Sequence, residues 1–150
     1  MNKLITINKR AYFDYEILES YEAGIALQGP EVKSAKAGKI DLTGGYISFD
    51  KKQTPWLINA KIAPYPPAKG AQQNYNPNQP RRLLLNKREI SKIIGSSQNK
   101  GLTSIPLKVY NKNGFVKLEI GVVRGKRKFD KRETIKRREV ERKINREIDK

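Results

Sequence analysis

Residues 105–123 read IPLKVYNKNGFVKLEIGVV. Two runs in which apolar and polar residues alternate flank Asn113-Gly114, a pair suited to the positive φ angles of a tight two-residue turn. The stretch is predicted as a β-hairpin, with Pro106 near the start of its first strand, where a missing N–H is tolerated. The same signature recurs upstream. YFDYEILE (12–19) and YEAGIALQG (21–29) are rich in aromatic and β-branched residues and are interrupted by Gly24 and Gly29. GYISFD (45–50) and WLINAKIAPY (56–65) follow, joined by the polar loop KKQTP. Two short helices are predicted: GPEVKSAKAG (29–38), with Pro30 in its first turn and Gly38 as its stop, and NKREISKIIGSS (86–97), ending at Gly95. Between them YPPAKGAQQNYNPNQPRR (65–82) holds four prolines and three asparagines and reads as an irregular surface loop. Many short strands with glycine-marked bends and few helices make the expected fold mainly β: a small closed or partly closed antiparallel barrel of about six strands. The pairing order is not readable from the string.

Composition narrows the function classes. The chain has 150 residues, 37% of them hydrophobic, which suits one small domain plus an appendage. It carries 32 Lys and Arg against 15 Asp and Glu, a net charge of +17. Such a field attracts polyanions, so RNA, DNA and anionic membranes are the candidate partners. No run of 18 apolar residues offers a membrane span, and the first residues lack the pattern of a secretory signal. The absence of Cys fits a cytoplasmic protein. With neither His nor Cys, the usual zinc sites and the Ser–His–Asp and Cys–His nucleophile arrangements are excluded, and no phosphate-binding glycine loop is present. A carboxylate-held metal remains open. Glu22 and Glu31 are the carboxylates a nuclease could use, but nothing in the spacing brings them together.

The charge is unevenly spread. Residues 1–123 hold 19 basic and 9 acidic residues, whereas residues 124–150 hold 13 and 6, a composition shift that marks a tail. Read as a helix, this tail places Val140, Ile144 and Ile148 on one narrow stripe opposite Arg138, Arg142 and Arg146. So thin a stripe buries little, and a free helix of this length is marginal in water. The expected behaviour is disorder in isolation and folding against a polyanion. A solvated charged helix that aids solubility is the competing reading. Phe129, set within KRKFDKR, is either a base-stacking ring or the last core residue of the barrel.

Six blocks in fixed order carry a resemblance: NKRAYFDYEI (8–17), EAGIALQGPEVKSAKAGKIDL (22–42), WLINAKIAPY (56–65), RRLLLNKREISKIIG (81–95), GLTSIPLKVY (101–110) and GVVRGKRKFDKRE (121–133). From Asn8 to about Arg138 the chain resembles the SsrA-binding protein (small protein B) family. The resemblance implies an oligonucleotide-binding-type β-barrel with peripheral helices, no catalytic activity and no cofactor. It also implies a monomer that binds the tRNA-like domain of transfer-messenger RNA, which is charged with alanine and delivered by elongation factor Tu. The complex is then expected to enter stalled ribosomes, where the tail occupies the empty message channel beside the small-subunit decoding centre and trans-translation follows.

Residue roles transfer as implications of that resemblance. Asn8, Lys9, Arg10, Glu22, Lys33, Lys36, Arg81, Arg82 and Leu84 fall on the expected RNA-binding surface. Lys126, Lys128, Phe129, Asp130, Lys131, Arg132, Lys136, Arg137, Arg138 and Arg142 fall on the tail that meets the decoding centre and message channel. No metal site is implied. Physical alternatives stand beside these roles. Asn8 suits a cap before the first element as well as it suits a base contact. Glu22 repels phosphate but accepts from exposed base amino groups. In the run Leu83–Leu85 at least one residue belongs to the core, and Arg81 and Arg82 are expected to meet phosphate. Departures from the family pattern include Pro30 before EVKS, a Gln/Asn-rich 65–82 loop, and Phe129 where an imidazole is common.

Overall fold

The computed structural model describes residues 2–68 and 74–126. The tail positions from Lys128 to Arg142 named above lie outside those residues. The expected hairpin is its longest element pair: β8 (Leu102–Lys112) and β9 (Phe115–Gly125) are antiparallel, and Asn113 and Gly114 turn the chain at φ 52° and 88°. Both positive angles match the type I′ geometry that carries the twist of the flanking strands. Ladders extend to either side. β1 (Asn2–Ile7) joins β8, while β2 (Tyr15–Ile25), β7 (Arg81–Leu84), β5 (Pro55–Ile58) and β4 (Tyr46–Phe49) continue from β9. The seven strands run in the order β1-β8-β9-β2-β7-β5-β4, and β3 (Ile40–Asp41) pairs with β6 (Lys61–Ile62) as a small second sheet. The large sheet curls so that β4 lies against β8. Bulges at Ile17/Glu19 and Pro106/Lys108 help the long strands bend.

Alternation decides which side is the interior. Val109, Val116, Leu118, Ile120, Ala23, Leu83 and Leu57 point inward and form one core with Ile40, Leu42 and Ile62. A smaller cluster of Ala11, Ile105, Leu107 and Val123 closes the other end of the hairpin. There Gly121 lets Leu107 lie over the backbone: a Cβ at that position would stand 2.6 Å from Leu107 Cδ1.

The expected mainly antiparallel β fold is present, and several details differ from the sequence reading. The described residues contain nine strands in two sheets rather than about six. The segment read as the strand YFDYEILE divides: Lys9–Asp14 form helix α1, and β2 begins only at Tyr15. Asn8 causes this, because its Oδ1 accepts the Ala11 N–H at 3.3 Å and caps the helix. Gly24 does not interrupt a strand but lies within β2. WLINAKIAPY is cut in two by Asn59, which turns at φ 62°. Helix α2 (Gly29–Lys36) forms as expected, with Pro30 at its start and Gly38 beyond its end at φ 83°. Helix α3 (Lys87–Ser97) passes through Gly95 for two further residues; its start is a capping box in which Asn86 and Glu89 exchange side-chain-to-backbone bonds.

Candidate nucleic-acid interface

Strand register assembles the outer face of the sheet. Leu4, Tyr110, Lys117, Gly24 and Leu84 stand opposite one another in a single row across β1, β8, β9, β2 and β7. Lys108, Glu119 and Glu22 form the next row in one direction, and Lys112 faces Phe115 in the other. Arg82, two residues from Leu84, pairs with Trp56 of β5. All of these alternate with core residues, so their side chains share the solvent side. Leu84 is 53% exposed and Leu4 49%. Gly24 leaves a notch beside Leu84: a Cβ there would meet the Leu84 side chain at 3.3 Å.

Glu22 is the acidic centre of this cationic face. Its Oε2 accepts from Tyr110 Oη at 2.6 Å, and Lys112 Nζ lies 3.2 Å from both carboxylate oxygens. The Tyr110 hydrogen bond, helped by Lys112 and Lys117 against some desolvation, holds its pKa below the usual carboxylate value. The Tyr110 phenol is pushed up in turn by burial and by Glu22. Lys108 pairs with Glu119 at 3.1 Å, which raises the ammonium pKa. Glu22 is thus an oriented acceptor within a field that draws phosphate, a combination suited to reading a base edge while the backbone is held by cations.

Beside this face, a cleft of about 510 Å³ runs between the β4–β5 loop and the start of α3. It is lined by Lys52, Arg82 and Lys87 above apolar Pro55, Leu84 and Ile90. Arg82 and Leu84 therefore belong to both surfaces.

The remaining expected site residues divide by burial. Arg81 is the correction: its guanidinium is 2% exposed and is committed to the interior. It gives Nε and Nη2 to Glu31 Oε2 at 3.2 and 2.9 Å, Nη2 to Tyr75 Oη at 2.9 Å and Nη1 to the Ala60 carbonyl at 2.8 Å. Strand alternation forces this, since Leu83 faces the core and Arg81 shares its side. Glu31 is also 2% exposed. Burial alone would raise its pKa, but the Gln28 N–H with Arg81, Tyr75 and Gln79 outweighs that and leaves it low. Glu22 and Glu31 are not brought together as a carboxylate pair, and no group of three metal-ligating side chains gathers among the described residues.

Asn8 is likewise buried. Besides capping α1, its Nδ2 donates to the Pro106 carbonyl at 2.9 Å and approaches that of Leu42 at 3.5 Å. It ties three segments together rather than projecting outward. Lys9 and Arg10 lie on the exposed side of α1, where Arg10 pairs with Asp14 at 2.9 Å and covers the Phe13 ring. Lys33 covers Tyr65, and Lys36 reaches the hairpin tip, its Nζ 2.8 Å from the Gly114 carbonyl. Lys126 is fixed to the end of α1 by its N–H to the Asp14 carbonyl at 2.8 Å and its Nζ to that of Tyr12 at 3.1 Å. The sequence reading missed Tyr110, Lys112, Phe115 and Lys117. The hairpin's even–odd alternation held the signal, because every residue opposite in phase to Val109, Val116 and Leu118 must face outward.

A small, curled antiparallel sheet whose outer face interleaves cations, aromatic rings and two paired carboxylates, Glu22 and Glu119, is an oligonucleotide-binding-type domain. The SmpB protein family model matches residues 5–150. The chain belongs to that family. It is 52% identical to the SsrA-binding protein of Gloeothece citriformis over 144 residues, covering 96% of this chain and 92% of the relative. It is 49% identical to that of Geobacillus sp. strain WCH70, covering 96% and 91%. A solved chain described as "tmRNA-SmpB: a journey to the center of the bacterial ribosome" superposes with a TM-score of 0.67 at 46% identity, covering 87% of this chain and 93% of that one.

Proposed function

We propose that this protein binds the tRNA-like domain of transfer-messenger RNA and carries it to stalled ribosomes for trans-translation. The observation that carries the reading is the outer sheet face, where Glu22 is held by Tyr110 and Lys112 beside exposed Leu84 and Arg82. The relatives' name, SsrA-binding protein, and the tmRNA-SmpB description of the superposed chain support it. The protein acts by binding and is not an enzyme. It works in the cytoplasm as a monomer on one RNA, with elongation factor Tu delivering the alanylated complex. None of the helices among the described residues is long and apolar enough to cross a membrane.

Two modules divide the work. The sheet domain grips the RNA; its last strand runs on to Gly125 instead of ending at residue 123, and the residues beyond Lys126 occupy the empty message channel, folding there as a helix. Phe129 stacks beside the decoding centre, and the cations from Lys126 to Arg142 meet ribosomal RNA. RNA recovered with the purified protein is expected to be dominated by transfer-messenger RNA, with affinity falling steeply as salt rises because each neutralised phosphate releases counterions. A chain truncated before Asp130 should retain that RNA and lose tagging on stalled ribosomes. Stoichiometric ribosomal RNA with no preference for the transfer-messenger species, or full tagging by the truncated chain, overturns the assignment.

A further inference from the structure

The hairpin tip carries a feature that folding does not require. Phe115 is 68% exposed, the highest value among the large apolar side chains of the outer face, although it begins the strand that supplies much of the core. It faces Lys112 in register, and Lys117 Nζ lies 6.0 Å from its ring centroid. The tip is also held from behind, since Lys36 of α2 donates to the Gly114 carbonyl at 2.8 Å. An apolar ring is thus presented beside a two-residue turn, flanked by two lysines and tethered by a third, in the row next to that of Tyr110 and Leu84 and on the same face as Glu22. Lys112 already meets Glu22, but Lys117 lies against the ring and makes no salt bridge among the described residues, so an apolar partner surface would leave its ammonium without counter-charge. A nucleotide satisfies both demands, because its base offers a π-face and a flanking phosphate meets Lys117.

We propose that Phe115 is a stacking residue for one unpaired base of the bound RNA, with Lys117 taking an adjacent phosphate and Lys36 positioning the turn. The site extends the recognition surface from the Glu22–Leu84 region to the hairpin tip, and it rests on the RNA-binding reading above.

The test uses the full-length protein and the tRNA-like fragment of transfer-messenger RNA. Phe115→Ala is expected to weaken binding about 5- to 150-fold, the span of one lost base–aromatic stack, with the melting temperature unchanged because the ring is exposed. Phe115→Leu keeps apolar area without a ring and should stay weak; Phe115→Trp should restore wild-type affinity. A photoactivatable phenylalanine analogue at position 115 should crosslink to an unpaired nucleotide of the fragment. Equal affinity for the Ala and Trp variants, or crosslinks only to protein, overturns the stacking role. Leu84→Ala and Arg82→Ala are measured in parallel: if they weaken binding while Phe115→Ala does not, only the tip proposal fails. If none of the three matters, the RNA-face reading itself fails.

Discussion

Arg81 and Arg82 are adjacent, identical in chemistry and opposite in fate, so truncating each to Ala isolates what strand alternation does. Removing the Arg81 guanidinium deletes four hydrogen bonds and leaves the Glu31 carboxylate, 2% exposed, without its cation. Breaking a buried pair from one side costs about 3–5 kcal/mol, chiefly through the charge left alone. That is a large share of the roughly 5–15 kcal/mol by which small domains are stable. Arg82 is exposed, and its truncation should change stability by no more than about 0.5 kcal/mol. RNA binding should show the reverse. If Arg82 neutralises one phosphate, its loss lowers the slope of log affinity against log salt by about 0.7–0.9, whereas Arg81→Ala leaves the slope untouched under conditions where the variant is folded. Urea denaturation followed by circular dichroism gives the first quantity, and fluorescence titrations of the tRNA-like fragment at several salt concentrations give the second. Glu31 adds a pH signature. Its folded pKa is depressed, so its contribution is present above the unfolded carboxylate pKa and is lost as pH falls through the lower folded value. Arg81→Ala should therefore flatten the acid limb of wild-type stability. A stable Arg81→Ala protein with a reduced salt slope refutes the inward assignment.

Tyr110→Phe removes the strongest influence holding the Glu22 pKa down, leaving Lys112 and Lys117 against desolvation. The pH at which acidification weakens RNA binding should shift upward in this variant, and affinity at pH 7 should fall roughly fivefold, about 1 kcal/mol; an unchanged acid limb refutes the positioning of Glu22 by Tyr110. Asn8→Ala loses a helix cap and strands a buried carbonyl, so unfolding measurements should show a loss of about 1–3 kcal/mol with no change in the salt slope of binding. Gly121→Ala drives a Cβ into Leu107 and should cost about 1–3 kcal/mol, partly recovered by adding Leu107→Val; additive losses in that double variant argue against the contact.

What the sequence disclosed follows from the range of the interactions involved. The β8–β9 hairpin was readable because its turn chemistry and alternation are local to 105–123, and the capped, glycine-stopped α2 was readable for the same reason. Helix α1 was not, since Tyr12, Phe13 and Tyr15 look like strand residues, and what decides the matter is Asn8, whose other bond reaches Pro106, 98 residues away. β1 was passed over although it is longer than β4, and it is held in place by pairing with β8. At the site, the family resemblance named Glu22, Leu84 and Arg82, which the strand register places on one face, but could not tell Arg81 from Arg82. That distinction depends on which neighbour shares the phase of Leu83, and phase is set by the ladder between β2 and β7.

Strand register, here across β8, β9 and β2, also explains why a carboxylate is tolerable on the proposed RNA face. Net charge governs encounter, and the 19 basic residues of positions 1–123 outnumber their 9 acidic ones. Cations alone would hold any RNA backbone equally well and would confer no preference. Glu22 changes that balance because it is fixed: Tyr110 and Lys112, on the strand beyond β9, clamp both of its oxygens. An anion oriented in this way repels phosphate and accepts from amino groups, so it penalises a regular duplex backbone laid across β2 and favours an opened base at that point. Leu84 and the notch at Gly24 offer an apolar floor for such a base, on the same row as Tyr110 and three and two strands from it. Selectivity for a folded, partly unpaired RNA over generic duplex is therefore expected to reside in the carboxylate and its clamp. Glu22→Gln supplies the measurement: it should narrow the ratio of affinities for the tRNA-like fragment and a plain duplex of equal length while leaving duplex binding equal or tighter. A uniform weakening toward both RNAs would mean that Glu22 serves only to hold Lys112 in place.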